Sequence, residues 1–228
     1  MKQIDNIINL FYPNTCRICG RTLSTHENYL CLHCIQNIPR TDFHIKDSHP
    51  AEQLFRGKIE IEEAFSFFYF TPNSNYRQLI HQIKYNGEKH CGQYMGTLFA
   101  QELVRDGKLQ DIDIIIPVPL HRSKERRRGY NQSEWIAKGI ANVIHKNVNS
   151  HLLYRKRKNE SQIHKSLYDR WLNTQQTFQL DKSTNIEDKH ILLIDDVVTT
   201  GATLLACAEA LSGLKNCKLS LLTLAITQ

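Results

Sequence analysis

The stretch Ile191-Leu-Leu-Ile-Asp-Asp-Val-Val-Thr-Thr-Gly-Ala-Thr203 decides the fold of this chain. It opens with the all-apolar run Ile191–Ile194, the pattern of a short strand buried on both faces. Asp195 and Asp196 follow, at the strand's carboxyl end, where open α/β sheets take their ligands. Thr199, Thr200, Gly201, Ala202 and Thr203 then make a turn of small and hydroxyl residues that leads into a helix over 203–214. Such a turn aims backbone amides and hydroxyls at a phosphate near a helix N-terminus. Gly201 lets the backbone approach closely or take a positive φ. No Gly-Lys-Ser/Thr tripeptide is present, which excludes a triphosphate P-loop.

Two acids beside a phosphate repel it, unless they serve a different part of the ligand. A carboxylate accepts hydrogen bonds, and the 2′- and 3′-hydroxyls of a ribose offer two donors. Magnesium bridging a pyrophosphate and the ribose would ease the repulsion further. The plainer alternative is a capped strand–turn–helix with two exposed acids.

Working outward, strands alternate with helices. Strands are expected at 64–70, 112–118, 151–154 and 219–226, and helices at 74–85, 93–104, 133–145 and 166–174. Asn131 or Ser133 can cap the helix at 133. This alternation implies a parallel sheet covered on both faces, an α/β fold. Residues 61–228 form that domain, 41–60 read as a linker, and 10–40 form a separate cysteine module.

In the module, Cys16-x2-Cys19 and Cys31-x2-Cys34 are separated by eleven residues. Two such knuckles present four thiolates, which suffices for a closed tetrahedral zinc site with no open position for catalysis. A pair of disulfides or a redox motif is the alternative. His26 and His33 read as exposed, and Cys91, Cys207 and Cys217 as small core residues.

Net charge is +6, concentrated at Arg122–Arg128 and Arg155–Lys158. These read either as solvated loops or as surfaces for phosphate, on a small ligand or on nucleic acid. No apolar run reaches the roughly 18 residues of a membrane span, so no membrane insertion is expected. The start lacks the pattern of a secretory signal, and a cytoplasmic location is the expectation.

The 191–203 segment resembles the phosphoribosyl pyrophosphate signature of type I phosphoribosyltransferases. With the four cysteines in front, the chain resembles the ComF family of competence-associated, phosphoribosyltransferase-like proteins. The pieces that carry the resemblance are Cys16–Cys34 with Asn37-Ile38-Pro39, Ile83-Lys84-Tyr85-Asn86-Gly87 and Pro117-Val118-Pro119-Leu120. Arg128-Gly129-Tyr130-Asn131-Gln132 and the 191–203 segment complete the set, in this order. The resemblance implies a type I phosphoribosyltransferase fold behind a zinc ribbon. It places phosphoribosyl pyrophosphate on Asp195, Asp196 and 199–203, and its pyrophosphate on Pro117 and Val118 with Arg122 or Arg128. Arg155, Arg157, Gln162 and Arg170 would belong to a flexible loop closing over the ligand, with Asn159 where the family commonly has threonine.

Turnover at such a site would displace pyrophosphate at ribose C1, relying on positioning and cations such as Lys84 rather than on a nucleophilic side chain. No segment names an acceptor base. The resemblance also implies a link to DNA uptake and its machinery. That leaves a rival reading, a non-catalytic module that binds a phosphoribosyl ligand or single-stranded DNA.

Overall fold

Runs rich in leucine, β-branched and aromatic residues form the strands, and each is bounded by polar turns. The structure is a computed structural model and describes residues 13–46, 49–71, 74–155, 178–181 and 186–227. The described strands are β1 (Ala64–Phe70), β2 (Ile114–Pro117), β3 (Asn147–Val148), β4 (Leu153–Arg155), β5 (Phe178–Leu180), β6 (His190–Val198) and β7 (Lys218–Thr227). The helices are α1 (Leu32–Gln36), α2 (Pro50–Gln53), α3 (Tyr76–Tyr85), α4 (Lys89–Arg105), α5 (Arg122–Arg128), α6 (Gln132–Ile144) and α7 (Ala202–Leu211).

Five strands pair in the order β1-β7-β6-β2-β3, every pairing parallel. Alternate residues of β6 serve opposite faces. Leu192 and Ile194 join a core with Leu79, Ile83, Met95, Phe99 and Ile136 from α3, α4 and α6. Ile191 and Leu193 join a second core with Leu204, Cys207 and Leu211 of α7. The sheet is therefore flanked by helices on both faces. Helices α4 and α6 pass very close to each other. A Cβ on Gly139 would lie 2.0 Å from the Gln93 carbonyl oxygen, and one on Gly96 2.3 Å from that of Ile136. No larger residue fits at either crossing point.

The cysteine segment is bolted to this body. Ile18, Leu30 and Ile38 share the first core. Tyr76 donates to the Cys34 carbonyl at 2.8 Å, Arg40 pairs with Glu102 at 2.7 Å and Arg17 with Glu88 at 2.9 Å. In the stretch 41–60, the Thr41 amide donates to the Phe67 carbonyl at 3.1 Å. Phe43 and Phe55 are buried in the α7-side core, so this stretch covers part of the sheet as it joins the two segments.

The structure departs from the sequence expectations in four places. Strand β6 runs on to Val198, because β7 continues to pair with it after β2 ends at Pro117. Both acids thus lie inside a strand instead of beyond its end. The basic run 122–128 is helical, not a loop. The His121 imidazole accepts from the Ser123 amide, and Arg126, Arg127 and Arg128 occupy the last turn, where the helix dipole favours cations. The strand at 153–155 pairs antiparallel with β5, outside the main sheet. Helix α7 begins at Ala202 and stops at Leu211. The helix expected at 166–174 lies outside the described residues, as do Lys156–Lys158 and Asn159.

Candidate functional site

Strand β6 delivers Asp195 and Asp196 to a nearly closed environment, with 9% and 4% of their surfaces exposed. Asp195 Oδ1 accepts from Ser133 Oγ at 3.0 Å and from the Asp196 amide at 2.9 Å. Asp196 Oδ1 pairs with Lys84 Nζ at 3.1 Å. Asp196 Oδ2 is buried and has no hydrogen-bond partner among the described residues. Two adjacent carboxylates away from water cannot both ionise cheaply. Burial, and then the charge of Asp196, push the Asp195 carboxyl up to about 7, against the opposing hydrogen bonds and Lys84.

Three of the motifs converge on this pair. Asn131 caps α6 by accepting from the Ser133 amide at 3.1 Å, and its Nδ2 donates to the Val118 carbonyl at 3.0 Å. The Val118 amide in turn donates to the Ile194 carbonyl at 2.8 Å. One side chain therefore ties the 117–120 turn to the helix that presents Ser133. Tyr130 donates to the Ile83 carbonyl at 2.5 Å, which holds the last turn of α3, where Lys84 stands. Arg128 donates to Gln132 Oε1 at 2.8 Å and lies over the Tyr85 ring at 4.7 Å.

After β6 the chain turns sharply. Thr199, Thr200, Ala202 and Thr203 are exposed, while Gly201 is buried at φ +74°. The Ala202 amide reaches Thr200 Oγ1 at 3.4 Å. The first-turn amides of α7 lack intrahelical acceptors, and the helix end carries partial positive charge. The segment thus offers buried acceptors at Asp195–Asp196, then donors suited to an anion at 200–203. A polyol phosphate needs both.

The four sulfur atoms of Cys16, Cys19, Cys31 and Cys34 lie within 4.8 Å of one another. The Cys31 amide donates to Cys16 Sγ and the Cys34 amide to Cys31 Sγ, both at 3.4 Å. Burial raises the Cys16 thiol, but hydrogen bonds from the Cys19, Cys31 and Ile18 amides outweigh it and bring the thiol down to about 7. Amide donors aimed at clustered thiols stabilise thiolate, the form that binds metal. The set could hold a metal such as zinc. His26 and His33 are exposed.

Of the remaining sequence candidates, Pro117 and Val118 are buried at the end of β2. Arg155 sits on β4 with its guanidinium 5.4 Å from the Phe178 ring centroid. Arg157, Gln162 and Arg170 lie outside the described residues. Sequence reasoning missed the roles of four residues. Ser133 was legible only as a helix cap, and Lys84 only as a free cation, yet each bonds one of the acids. Leu54 and Phe55, in the expected linker, lie under Gly201. A Cβ there would stand 3.1 Å from the Phe55 ring. Among the described residues no helix is long and apolar enough to cross a membrane.

The phosphoribosyl transferase domain family matches residues 136–226. The DNA utilization protein YhgH of Shigella flexneri is 28% identical over 199 residues, covering 86% of this chain and 83% of that protein. The competence protein ComFC of Bacillus subtilis is 25% identical over 199 residues, covering 86% and 70%. Among solved structures, a hypoxanthine phosphoribosyltransferase from Staphylococcus aureus aligns with a TM-score of 0.38 at 17% identity. That alignment covers 61% of this chain and 64% of the other, under two thirds of its length.

Proposed function

The chain is a ComF-family, phosphoribosyltransferase-like protein, tied by its relatives to competence and DNA utilization, and from that premise we propose that it binds phosphoribosyl pyrophosphate at Asp195–Thr203. The observation that carries this reading is the buried Asp196 Oδ2, without a hydrogen-bond partner among the described residues, placed shortly before the turn whose Thr199, Thr200, Ala202 and Thr203 are exposed. A ribose hydroxyl satisfies that acceptor, and the 5-phosphate takes the α7 amides. Pyrophosphate would lie toward Val118 and Arg128, with magnesium bridging it to the ribose.

The chemistry open to such a ligand is displacement of pyrophosphate at C1. The residues present supply positioning and cations for it, and no side chain is placed as a nucleophile. Zinc, held by the four cysteines, would be structural, since four thiolates leave no open position. The proposed setting is the cytoplasm, in the handling of DNA during uptake. An NMR titration tests the site. Magnesium and phosphoribosyl pyrophosphate should shift the amides of 199–204 first, and shifts confined to other residues would place the ligand elsewhere.

One observation favours a second reading, single-stranded DNA binding. Helix α5 has no buried residue, and Arg122, Lys124, Arg126 and Arg127 make no ion pair among the described residues. Four unneutralised cations on one exposed turn-and-a-half suit a phosphate backbone.

A further inference from the structure

The two acids of the site are not equivalent, and the difference originates outside β6. Asp195 is held by neutral donors, the Ser133 hydroxyl and a backbone amide. Asp196 is held by a cation, Lys84, on Oδ1, while its buried Oδ2 has no partner among the described residues. Lys84 does not get there by chance. The last turn of α3 is clamped by Tyr130 on the Ile83 carbonyl and by Arg128 on the Tyr85 ring. The residues on either side of Lys84 are thus fixed by the 128–132 segment, and its side chain is only 24% exposed.

We propose that Lys84 is a positioning residue: by occupying Oδ1 of Asp196 it holds that carboxylate with Oδ2 turned toward the ligand's hydrogen-bond donor. The proposal rests on the phosphoribosyl reading for the identity of that donor, a ribose hydroxyl. Its physical basis is that a cation 3.1 Å from one carboxylate stabilises the charge there more than on the neighbour. Burial, and then the charge of Asp196, push the neighbouring Asp195 carboxyl up. The charged and titratable groups bearing on the pair are Lys84 from α3 and Cys207 from α7, whose thiol burial pushes well above its usual range. Cys207 stays neutral, so Lys84 is the group that distinguishes the two acids. A free lysine waiting for pyrophosphate, as the sequence alone suggests, would have no such effect.

The test uses Lys84→Met, Lys84→Gln and Lys84→Arg in the full chain, each checked for folding by its melting transition. The probes are phosphoribosyl pyrophosphate with magnesium, titrated calorimetrically at pH 6, 7 and 8, and 13C NMR titration of the aspartate carboxyls without ligand. Removing a charge-assisted hydrogen bond corresponds to about ten- to hundredfold in affinity. Lys84→Met and Lys84→Gln should lose that much at each pH, because Asp196 is no longer held with Oδ2 toward the ligand. Lys84→Arg should recover to within a few-fold. In the carboxyl titration the Asp195 transition should move to higher pH in Lys84→Met, because Lys84 opposes the upward push on that group. Wild-type affinity and pH profile in Lys84→Met, or carboxyls that titrate unchanged, would overturn the proposal and leave the phosphoribosyl reading intact. If the wild type ignores the ligand while the carboxyls respond to Lys84, the phosphoribosyl reading falls and the role of Lys84 toward Asp196 stands. An Asp196 Oδ2 that bonds only a water, with ligand affinity indifferent to Lys84, also overturns it.

Discussion

Replacing Gly201 should damage the fold and the site together, and the size of the loss can be worked out. Gly201 sits at φ +74°, a region where any residue with a Cβ pays roughly 1–2 kcal/mol. The added Cβ would also stand 3.1 and 3.2 Å from two atoms of the Phe55 ring and 3.6 Å from Leu54 Cβ. Carbon pairs prefer about 3.5–4.0 Å, and Phe55 is 1% exposed, so its ring can yield only by disturbing the α7-side core. Overpacking of this kind costs about 1–3 kcal/mol. Gly201→Ala should therefore destabilise the chain by roughly 2–5 kcal/mol, and Gly201→Val by at least as much. Urea denaturation reads this as a lower midpoint with an unchanged slope. Phe55→Leu separates the two causes. In that background the ring clash is gone, and Gly201→Ala should cost only the backbone share. A Gly201→Ala variant within about 0.5 kcal/mol of the wild type, the range of an unremarkable surface change, would refute both the strained turn and its packing against Phe55.

Three further outcomes follow from the geometry. Asp195 keeps its proton to higher pH in the folded chain than in the unfolded one, so stability should fall as pH rises from about 4 to about 7. Asp195→Asn should remove that slope, and equal pH dependence in both chains would contradict the burial of the pair. Purified protein should carry close to one zinc, and Cys16→Ser should lose it while destabilising the 13–40 segment; chains without metal would return the cysteines to the disulfide or redox reading. Replacing Arg126, Arg127 and Arg128 by Ala should flatten the salt dependence of single-stranded DNA binding by about 0.7 per lost phosphate contact. An unchanged slope would make α5 an ordinary solvated helix.

Much of this was legible in the chain. The apolar run before Asp195, the small-residue turn and the apolar faces of the helices predict a parallel sheet with helices on both sides, because period and burial are local properties. The paired knuckles likewise predict clustered thiols. What the sequence hid was long-range. Nothing local says that β6 continues through its two acids, because that depends on β7 pairing alongside to Ile226. The polar stretch 41–60 reads as a linker, since its two phenylalanines are spaced too widely to show a face, yet Phe55 supports Gly201. Ser133 and Lys84 are 62 and 112 residues from their acids, and no spacing rule connects them. The order of the motifs, more than any single motif, carried the family resemblance.

The most direct test of the proposed site is a calorimetric titration of phosphoribosyl pyrophosphate, with and without magnesium, into the wild type and into Asp195→Asn/Asp196→Asn. Amides of similar size replace the acids, so folding is preserved while the charged acceptors are lost. Binding to the wild type should require magnesium and weaken by about 2 kcal/mol or more in the double variant, since a hydrogen bond to a charged group is worth about 1.5–3 kcal/mol. Equal affinity in the two proteins, or no binding to the wild type at all, would contradict a phosphoribosyl site at Asp195–Thr203.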